Sequence, residues 1–540
     1  MIVPSYRSGV LALVAALFPT LGAIWGVRWF VTQDGSAHLY NAHIIAKSLG
    51  PHSPFAAYYT VRWEALPNWS GHLLTAAVVS LMPVWAAGPA VTTITLVGFA
   101  ASIVWLRLCV AGSSGLPVVS VLAVVLSLNF LWLLGFTSFM LGACLFPITL
   151  GIWWVGRDRF GWGRAIAIAG LMIVGYLCHL VSFGLTAFGL IVLSLTTPGP
   201  SRRVRFVRTV AALAPLVPLG LRYHSLSKAG GPMQPEWSFL ANPLSRAAWK
   251  SQLEWVDPIT LMRHAAIPLT GVDHATWFHL LEPRTWLMLA FAVMLYSAIR
   301  TRRARPSQGS DERLGWAWLA GLLLIGGIVG PDSFGGSHGG ILQPRVVLLG
   351  LVALVPIAEF DTRIWSGQLI AVALVIALGV QSAVVWDYAL TSRRMAGALV
   401  AAREAVGTNQ RVASLLVYHS SNRFRVDPLV HADNLLGIGT GNIIWSNYET
   451  DVYYFPVRFR PEIARPMPSD LTQFASTVGP ANANLRASLW KHVIDDHLAD
   501  IDTLVIWGSD PQLDAINRLH FDTVYRNDNV RVLRRVIRDH

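Results

Sequence analysis

Residues 9–41 read GVLALVAALFPTLGAIWGVRWFVTQDGSAHLYN, a long apolar run followed directly by a polar segment that carries Asp34. The run, residues 9–31, is preceded by Arg7 and lacks a small-residue cleavage site, so we interpret it as a retained membrane helix. A carboxylate at the exit of such a helix is costly near hydrocarbon unless it faces water, a partner or a substrate. Asp34 is therefore the first candidate for a functional residue.

Two interpretations of Asp34 stay open at this point. If Gly35 ends one element and a helix starts at Ser36, the carboxylate lies near the positive end of the helix dipole. His38 then lies four residues further on, on the same face. Asp34 is either a helix cap or a catalytic carboxylate, and the local sequence does not separate the two.

The composition is that of a polytopic membrane protein. The chain has 540 residues, of which 54% are hydrophobic and 13% charged, and its mean hydropathy is +0.49, whereas about a quarter of the residues in soluble proteins are charged. The net charge of +12 is concentrated in arginine clusters around residues 157–164, 202–208 and 300–305. Such clusters between apolar segments are typical of cytoplasmic loops, so they indicate orientation and not a nucleic-acid partner.

Three cysteines lie in or beside apolar runs, which argues against a disulfide framework and against a cysteine metal site.

Further membrane candidates follow the first helix, and together they predict about 11–13 transmembrane helices. Several are shorter than the roughly 20 residues of a straight span, so we expect broken or tilted helices. The candidates are 71–86, 89–108, 117–135, 138–155, 164–179, 182–197, 207–222, 285–300, 314–330, 345–360 and 367–387.

The orientation can be counted from either end of the chain. The count that starts at Arg7 and the count that starts at the arginine clusters differ by one crossing. We follow the arginine clusters, which place both the Asp34 loop and the C-terminal region outside. A re-entrant piece or a missed span is then expected within 71–108 or 117–155.

We divide the chain at residue 390. Residues 1–390 form the predicted transmembrane domain, with outer loops at 32–70, 223–284 and 331–344, and residues 391–540 form a predicted soluble extracytoplasmic α/β domain. Within the first outer loop, residues 37–49 are predicted to be a short helix. In the C-terminal domain we predict strands at 412–418 and 503–507, helices at 396–406, 485–498 and 511–519, and a hairpin over 521–533 that turns at 527–529.

Two polar residues lie at predicted helix junctions. Asn129 precedes the segment GFTSF at 135–139, and His179 lies close to Ser182. Each either makes interhelical hydrogen bonds, which are common in membrane bundles, or lines a cavity. The arginine clusters place both junctions on the same face as the 331–344 loop, which favours a shared outer cavity.

The 331–344 loop carries His338 and four glycines, and Arg345 follows it at once. The glycines either let the backbone approach a ligand closely or form a flexible turn. The Arg345 guanidinium either clamps a phosphate with two hydrogen bonds or anchors the helix at the lipid headgroups.

Glu64 closes the loop that Asp34 opens. It is a candidate second carboxylate, although pairing with the neighbouring Arg62 is the interpretation we favour. Tyr58 and Trp63 either stack on sugar faces or anchor the loop in the interface, and we favour anchoring.

The sequence contains no phosphate-binding loop, no zinc-type HExxH and no GxSxG nucleophile turn. An outward-facing enzyme without a nucleotide-binding element needs an activated donor that is delivered through the membrane.

The layout resembles the integral-membrane glycosyltransferases of the GT-C fold. Asp34 in DGSAH matches the position of their first-loop catalytic carboxylate, and Asn129 with GFTSF at 135–139 is similar to a segment of bacterial members. The closing VYRNDNVRV at 524–532 is similar to their terminal hairpin. Members of the family take a sugar from a polyprenyl-phosphate carrier and invert the anomeric centre.

The resemblance implies an enzyme in which Asp34 is the general base and His38 orients it or binds a sugar hydroxyl. It further implies that Arg345, with His338 or His179, neutralises the leaving phosphate. The expected residues for acceptor or sugar binding are Glu64, Tyr58, Trp63 and Asn129.

Gly35 stands where the commoner pattern has a second acid. We therefore assign no metal ligands and no cofactor, and leave a divalent metal as an open alternative. The expected partners are a polyprenyl-phosphate-linked sugar, a lipid or glycan acceptor and membrane lipids, and no nucleic acid. The expected location is a bacterial inner membrane with the active site facing the periplasm. A glycan ligase or polymerase, a lipid or solute transporter and a membrane scaffold remain the alternatives.

Overall fold

The structure is a computed structural model, which describes residues 4–50, 53–199, 202–262, 282–304, 313–335, 338–417, 424–472, 474 and 482–536. The chain divides into two compact units. Unit 1 comprises Met1–Gly22, Ala65–Gly71 and Thr93–Val385. Unit 2 comprises Ala23–Glu64, His72–Thr92 and Trp386–His540.

The first half of the chain is helical apart from one short strand. Its elements are α1 (Pro4–Trp25), α2 (Gly35–Ser48), β1 (Tyr59–Val61), α3 (Trp69–Leu81), α4 (Val84–Ala111), α5 (Leu116–Ser127), α6 (Phe130–Leu134), α7 (Thr137–Val155), α8 (Trp162–Cys178), α9 (Leu180–Thr196), α10 (Arg202–Leu213), α11 (Val217–Ser227), α12 (Ser238–Ala241) and α13 (Arg246–Val256).

The second half begins with five helices, and strands and helices alternate after them. Its elements are α14 (Pro283–Ala304), α15 (Leu314–Val329), α16 (Leu342–Leu354), α17 (Trp365–Ala401), α18 (Arg403–Val406), β2 (Arg411–Leu416), β3 (Ile443–Ile444), β4 (Val457–Phe459), α19 (Pro468–Thr472), α20 (Ala483–His497), β5 (Thr503–Trp507), α21 (Pro511–His520), β6 (Phe521–Arg526) and β7 (Val530–Arg535).

Among the described residues, five helical segments are long and apolar enough to cross a membrane: Tyr6–Trp25, Val84–Ala111, Thr137–Val155, Arg202–Gly230 and Trp365–Val406. Six shorter apolar helices, α3, α5, α8, α9, α15 and α16, lie among them. The prediction of a mainly α polytopic membrane protein with a C-terminal α/β region is therefore confirmed. Which side each loop faces stays a prediction.

The predicted span at 117–135 is broken, as short candidates led us to expect. Helix α5 ends at Ser127, and Asn129 starts the five-residue helix α6. The Asn129 side chain accepts a hydrogen bond from the Trp132 N–H at 3.0 Å and donates to the Leu126 carbonyl at 2.9 Å. Asn129 thus joins two helix ends in unit 1, which is a local version of the predicted hydrogen-bonding role.

Unit 1 is a helical bundle in which α7 packs on α8 and α9, and α15 packs on α9 and α16. Close approach between helices depends on small residues, as Gly142 and Gly327 show. A Cβ on Gly142 would come within 2.0 Å of the Ser182 hydroxyl, and a Cβ on Gly327 would come within 2.5 Å of a Val347 methyl. Small residues at such contacts are typical of membrane helix packing.

The sheet of unit 2 has the strand order β3-β2-β5-β7-β6. Strand β2 pairs in parallel with β3 and with β5, and β5, β7 and β6 pair in antiparallel fashion. A second, two-stranded sheet joins β1 to β4, with Tyr59 opposite Phe459. Helices α20 and α21 are tied by a buried ion pair between Arg486 and Asp510, whose atoms lie 2.6 Å apart.

The elements predicted in the C-terminal region are present in the structure except at two places, whereas β3, β4 and α19 were not predicted. The helix predicted at 396–406 does not stand alone, because α17 continues through residue 390 to Ala401 without a break. Tyr418, which was placed at the end of a predicted strand, lies outside the described residues. The division of the chain at residue 390 stays a prediction.

Candidate active site

Asp34 lies immediately before α2, in unit 2. Its carbonyl accepts the His38 N–H at 3.0 Å, and the Gly35 N–H donates to the Thr32 carbonyl at 3.2 Å. Helix α2 therefore begins at Gly35 itself and not at the predicted Ser36. The Asp34 side chain makes no capping hydrogen bond to the helix. The cap interpretation is therefore wrong for the carboxylate, which is turned to other partners.

A side chain at the position after Asp34 would meet the Thr32 hydroxyl in this backbone arrangement. A Cβ on Gly35 would lie 2.3 Å from the Thr32 hydroxyl oxygen. Real Cβ atoms do not approach that closely, so a second acid here requires the Thr32 side chain to rotate.

The partners of the Asp34 carboxylate come from the C-terminal part of unit 2. The Tyr448 hydroxyl donates a hydrogen bond to Oδ2 at 3.2 Å. Nε2 of His431 lies 4.0 Å from Oδ1, and the His431 ring packs against the Tyr448 ring at 4.4 Å between centroids. Only 8% of Asp34 is exposed, so these groups and not bulk water surround the carboxylate.

Burial raises the pKa of Asp34 to about 6, and the negative charge of Glu449 acts in the same direction. The charge of His38 and hydrogen bonds from Tyr448 and Gln33 oppose that rise. A carboxylate whose pKa lies near neutrality is well matched to general base catalysis, because it is ionised at pH 7 and still basic enough to accept a proton.

His38 is turned to a carboxylate other than Asp34. Its Nδ1 lies 2.5 Å from Oε1 of Glu449, and Nε2 of His72 lies 2.7 Å from Oε2. The Glu449 side chain is fully buried between the two rings. Burial alone would raise the pKa of Glu449, but His38 and His72 lower it to about 2, so this carboxylate is ionised.

Helix α2 is fixed to the segment 439–447 by several buried hydrogen bonds. The Asn41 and Asn447 amides bond reciprocally at 2.8 and 2.9 Å. The Tyr40 hydroxyl donates to the Asn442 carbonyl at 2.7 Å, and His43 Nε2 accepts the Gly439 N–H at 3.0 Å. These bonds set the direction of α2 and hence the position of Asp34 at its N-terminal end.

The remaining residues predicted in the first outer loop have partners of their own. The Glu64 carboxylate pairs with Arg62 at 3.3 Å, as we favoured. Tyr58 packs edge-on against Trp445 at 6.0 Å, and 59% of Trp63 is exposed. Their predicted roles toward a sugar or acceptor stay predictions.

Arg345 lies in the first turn of α16, in unit 1, and is 8% exposed. Its guanidinium lies over the Phe136 ring at 4.6 Å and over the Phe139 ring at 5.4 Å. Its Nη1 is 3.2 Å from Nε2 of His179. Two of the three residues predicted to bind phosphate are therefore neighbours, and the GFTSF segment forms part of their surroundings.

The third predicted phosphate ligand, His338, donates from Nε2 to the Gly231 carbonyl at 3.0 Å. Two residues of its glycine loop, Gly336 and Ser337, lie outside the described residues.

His179 has a second contact, since its Nδ1 accepts the Val181 N–H at 3.2 Å at the start of α9. A neutral His179 in that arrangement carries its proton on Nε2, facing Arg345.

Four residues of the Asp34 surroundings were missed from the sequence: His72, His431, Tyr448 and Glu449. His72 carried a weak signal, as a histidine near the start of an apolar helix. Glu449 lies in NYETDVYYFPV at 447–457, where acids stand among aromatic residues. Nothing local connects that segment with Asp34, from which it is separated by more than 400 positions in the sequence, 414 in the case of Tyr448.

Comparisons with solved structures give matches over nearly the whole chain. ArnT from Cupriavidus metallidurans bound to undecaprenyl phosphate matches with a TM-score of 0.52 at 13% identity, covering 97% of each chain. Apo ArnT from the same organism matches with a TM-score of 0.49 at 14% identity, again over 97% of each chain. An apo oligosaccharyltransferase from Archaeoglobus fulgidus gives 0.44 at 10%, covering 92% of this chain and 69% of that one.

No protein-family model and no curated protein matches the sequence. The comparison with lipid-bound ArnT confirms the fold expected from the sequence. The protein is thus an integral membrane protein with the GT-C fold.

Proposed function

We propose that the protein is a glycosyltransferase that moves a sugar from a polyprenyl-phosphate donor to an acceptor hydroxyl, with Asp34 as the general base. The observation that carries the proposal is the state of Asp34. Its carboxylate is buried, is not used as a helix cap, and has a pKa raised to about 6. Such a group is expensive to keep in a fold unless it has a chemical task.

The fold supports the class of donor. ArnT, which shares the fold over nearly its whole length, is seen with undecaprenyl phosphate bound. A polyprenyl phosphate is also the carrier that the resemblance in DGSAH implies. A lipid-borne donor further agrees with the lack of a nucleotide-binding motif in the sequence.

The proposed reaction is a single displacement at the anomeric carbon. The acceptor oxygen forms a bond to that carbon while the bond to the phosphate oxygen breaks with both electrons. Asp34 takes the hydroxyl proton, and the polyprenyl phosphate leaves as its anion. One carboxylate is enough for this inverting reaction because the phosphate leaves without needing a proton.

Arg345 and His179 are the proposed ligands of the leaving phosphate. With the His179 proton on Nε2, two donors meet at 3.2 Å, and an anion that accepts from both relieves their mutual repulsion. Phe136 and Phe139 hold the guanidinium by cation–π contacts. Charge-assisted hydrogen bonds of this kind stabilise negative charge that grows on the phosphate during the reaction.

The active face is proposed to be the outer one, in a bacterial inner membrane with the site toward the periplasm. The support is the position of the arginine clusters, which favour the cytoplasmic side for the loops at 157–164, 202–208 and 300–305. Cysteine labelling in sealed spheroplasts tests this, since a reporter cysteine at the exposed Leu49 reacts with an impermeant reagent only if that loop is outside.

The proposal is tested with the purified chain in lipid nanodiscs and a panel of radiolabelled polyprenyl-phosphate sugars. We expect label to pass to an acceptor in equal amount to the lipid phosphate released, with an inverted anomeric configuration by NMR. Retained configuration would contradict the single displacement. Flux of the donor across sealed vesicles without any covalent transfer would show a transporter instead.

A further inference from the structure

Three side chains near Asp34 form a second cluster that the proposed reaction does not use. They are His38 in the first turn of α2, His72 in the first turn of α3, and Glu449 in the turn Tyr448–Asp451, all in unit 2. We infer that this cluster binds one divalent cation of the zinc class through His38 Nδ1, His72 Nε2 and the Glu449 carboxylate. The inference stands on this geometry and not on the transferase activity.

The distances suit a metal centre with small adjustments. One ligand atom from each residue lies within 4.8 Å of the other two, and the two imidazole nitrogens lie 2.5 and 2.7 Å from the two carboxylate oxygens. Around a tetrahedral zinc ion with bonds of about 2.1 Å, neighbouring ligand atoms stand roughly 3.4 Å apart. Small outward rotations of the three side chains therefore open the space that the ion occupies.

The cluster is held in place before any ion arrives. The His38 and His72 rings meet edge-on at 5.5 Å between centroids. The Phe455 ring packs against both of them, at 6.1 and 5.6 Å. Glu449 is fully buried. Rigid ligands with an apolar wall lose little conformational freedom on binding, which favours metal affinity.

Charge also favours a cation. The Glu449 carboxylate is fully buried between two imidazole rings, and a buried carboxylate is costly unless it is paired or coordinates a metal. A divalent ion at this place compensates the carboxylate charge without a proton on either histidine. The alternative is a hydrogen-bonded network in which the histidines supply protons, and the experiment below separates the two.

The ligand types select the metal class. Imidazole nitrogens suit zinc and its neighbours in the first transition row, whereas magnesium and calcium prefer oxygen ligands. Two histidines and one glutamate form a known zinc ligand set that leaves a fourth position open. The predicted alternative of a divalent metal thereby gains specific ligands, none of which is Asp34.

An ion at this place would position Asp34 and would not take part in its chemistry as a ligand. It would bind α2, which carries Asp34 at its N-terminal end, to the turn whose Tyr448 donates to the Asp34 carboxylate at 3.2 Å. His38 and Glu449 then act as positioning residues. The metal would fix the direction of the base.

The test uses the full-length chain in detergent, stripped with a chelator, incubated with zinc, desalted and analysed by mass spectrometry for metal content. We expect about one zinc ion per chain. His72→Gln and Glu449→Gln should each reduce the content to below about a tenth. His492→Gln is the matched control: His492 is an exposed histidine of the same unit, outside the cluster, and this variant should keep its zinc.

Zinc X-ray absorption of the wild-type protein keeps the test decisive if a variant fails to fold. We expect a nitrogen shell with the outer-shell scattering of two imidazole rings. A spectrum without imidazole scattering overturns the inference. Less than about a tenth of a zinc ion per wild-type chain, or equal zinc in His72→Gln, also overturns it and leaves the hydrogen-bonded network. Asp34→Asn should keep its zinc whether or not transfer is lost, so a failure of the metal site and a failure of the proposed reaction are distinguishable.

Discussion

The candidate functional residues lie in two regions of the protein that bury charge, and these regions stabilise it in different ways. In unit 2, the Asp34 carboxylate accepts a hydrogen bond from Tyr448, and the Glu449 carboxylate lies between the His38 and His72 rings. In unit 1, the Arg345 guanidinium is placed against two phenyl rings and an imidazole that has its own proton to donate. Both regions use aromatic residues as walls.

The difference shows what each region is prepared to receive. The carboxylate region has hydrogen-bond donors at Asp34 but holds its pKa near 6, so Asp34 can take up one more proton. The guanidinium region brings two donors face to face, so it can take up an anion. In the proposed reaction, the first region accepts the proton and the second binds the leaving phosphate.

The largest effect is expected at the carboxylate. Asp34→Asn should lower the transfer rate by about 10²–10⁴-fold, because an amide cannot accept the proton of the acceptor hydroxyl. The measurement is initial rate with labelled donor at pH 7.5. Asp522→Asn is the control, since Asp522 is an exposed aspartate of the same unit, and equal losses in both variants would remove the special role of Asp34.

A smaller effect is expected at the guanidinium. Arg345→Gln should lower kcat/KM by about 10- to 100-fold, because hydrogen bonds between charged groups contribute about 1.5–3 kcal/mol. Arg345→Lys keeps the charge but loses the fork of donors, and should fall between the wild type and the glutamine variant. The exposed Arg363→Gln serves as control. Wild-type kinetics in Arg345→Gln would mean that Arg345 does not bind the phosphate, and only the role of Asp34 would stand.

The pH dependence sharpens the assignment of the base. Because burial raises the pKa of Asp34 to about 6, the carboxylate takes up a proton as the pH falls through that value. The rate should therefore be high above pH 7 and fall about tenfold per pH unit well below 6. The groups that face Asp34 are Gln33, His38, His431, Tyr448 and Glu449. A rate independent of pH between 5 and 8 would contradict the assignment.

The smallest effect is expected from Tyr448→Phe. The hydroxyl hydrogen bond lowers the pKa of Asp34 against the effect of burial, so its loss should move the acidic limb of the rate profile to higher pH. At pH 8, where Asp34 is ionised in both proteins, the rate should change by less than about fivefold. An acidic limb at the wild-type pH would mean that Asp34 does not set it.

Elements with local signals were predictable from the sequence. Gly35 fixed the start of α2, and the strand at 503–507 and the hairpin turning at 527–529 have the predicted places. The helix at 396–406 was wrongly separated because the change of composition at 391 looked like an end, although 365–401 contains no proline to end α17. A change of composition indicates a change of environment along the chain, but a helix can continue across that change.

The candidate site was predictable only in part. Asp34 carries a signal because an acid after an apolar helix is unusual, and Arg345 and His179 carry one because charge in apolar helices is expensive. Glu449 and Tyr448 carry none, since their meeting with residues 34–72 depends on the tertiary fold. Gly35 was interpreted as a missing acid, and its contact with the Thr32 hydroxyl appears only in the folded chain.

The most direct measurement separates binding of the donor from its reaction in the Asp34→Asn variant. Donor affinity is measured at equilibrium, and transfer of label is followed in a single turnover with enzyme in excess. We predict a donor affinity within about twofold of the wild type and a transfer step slowed at least about 100-fold. Single-turnover transfer at the wild-type rate in that variant would contradict this prediction.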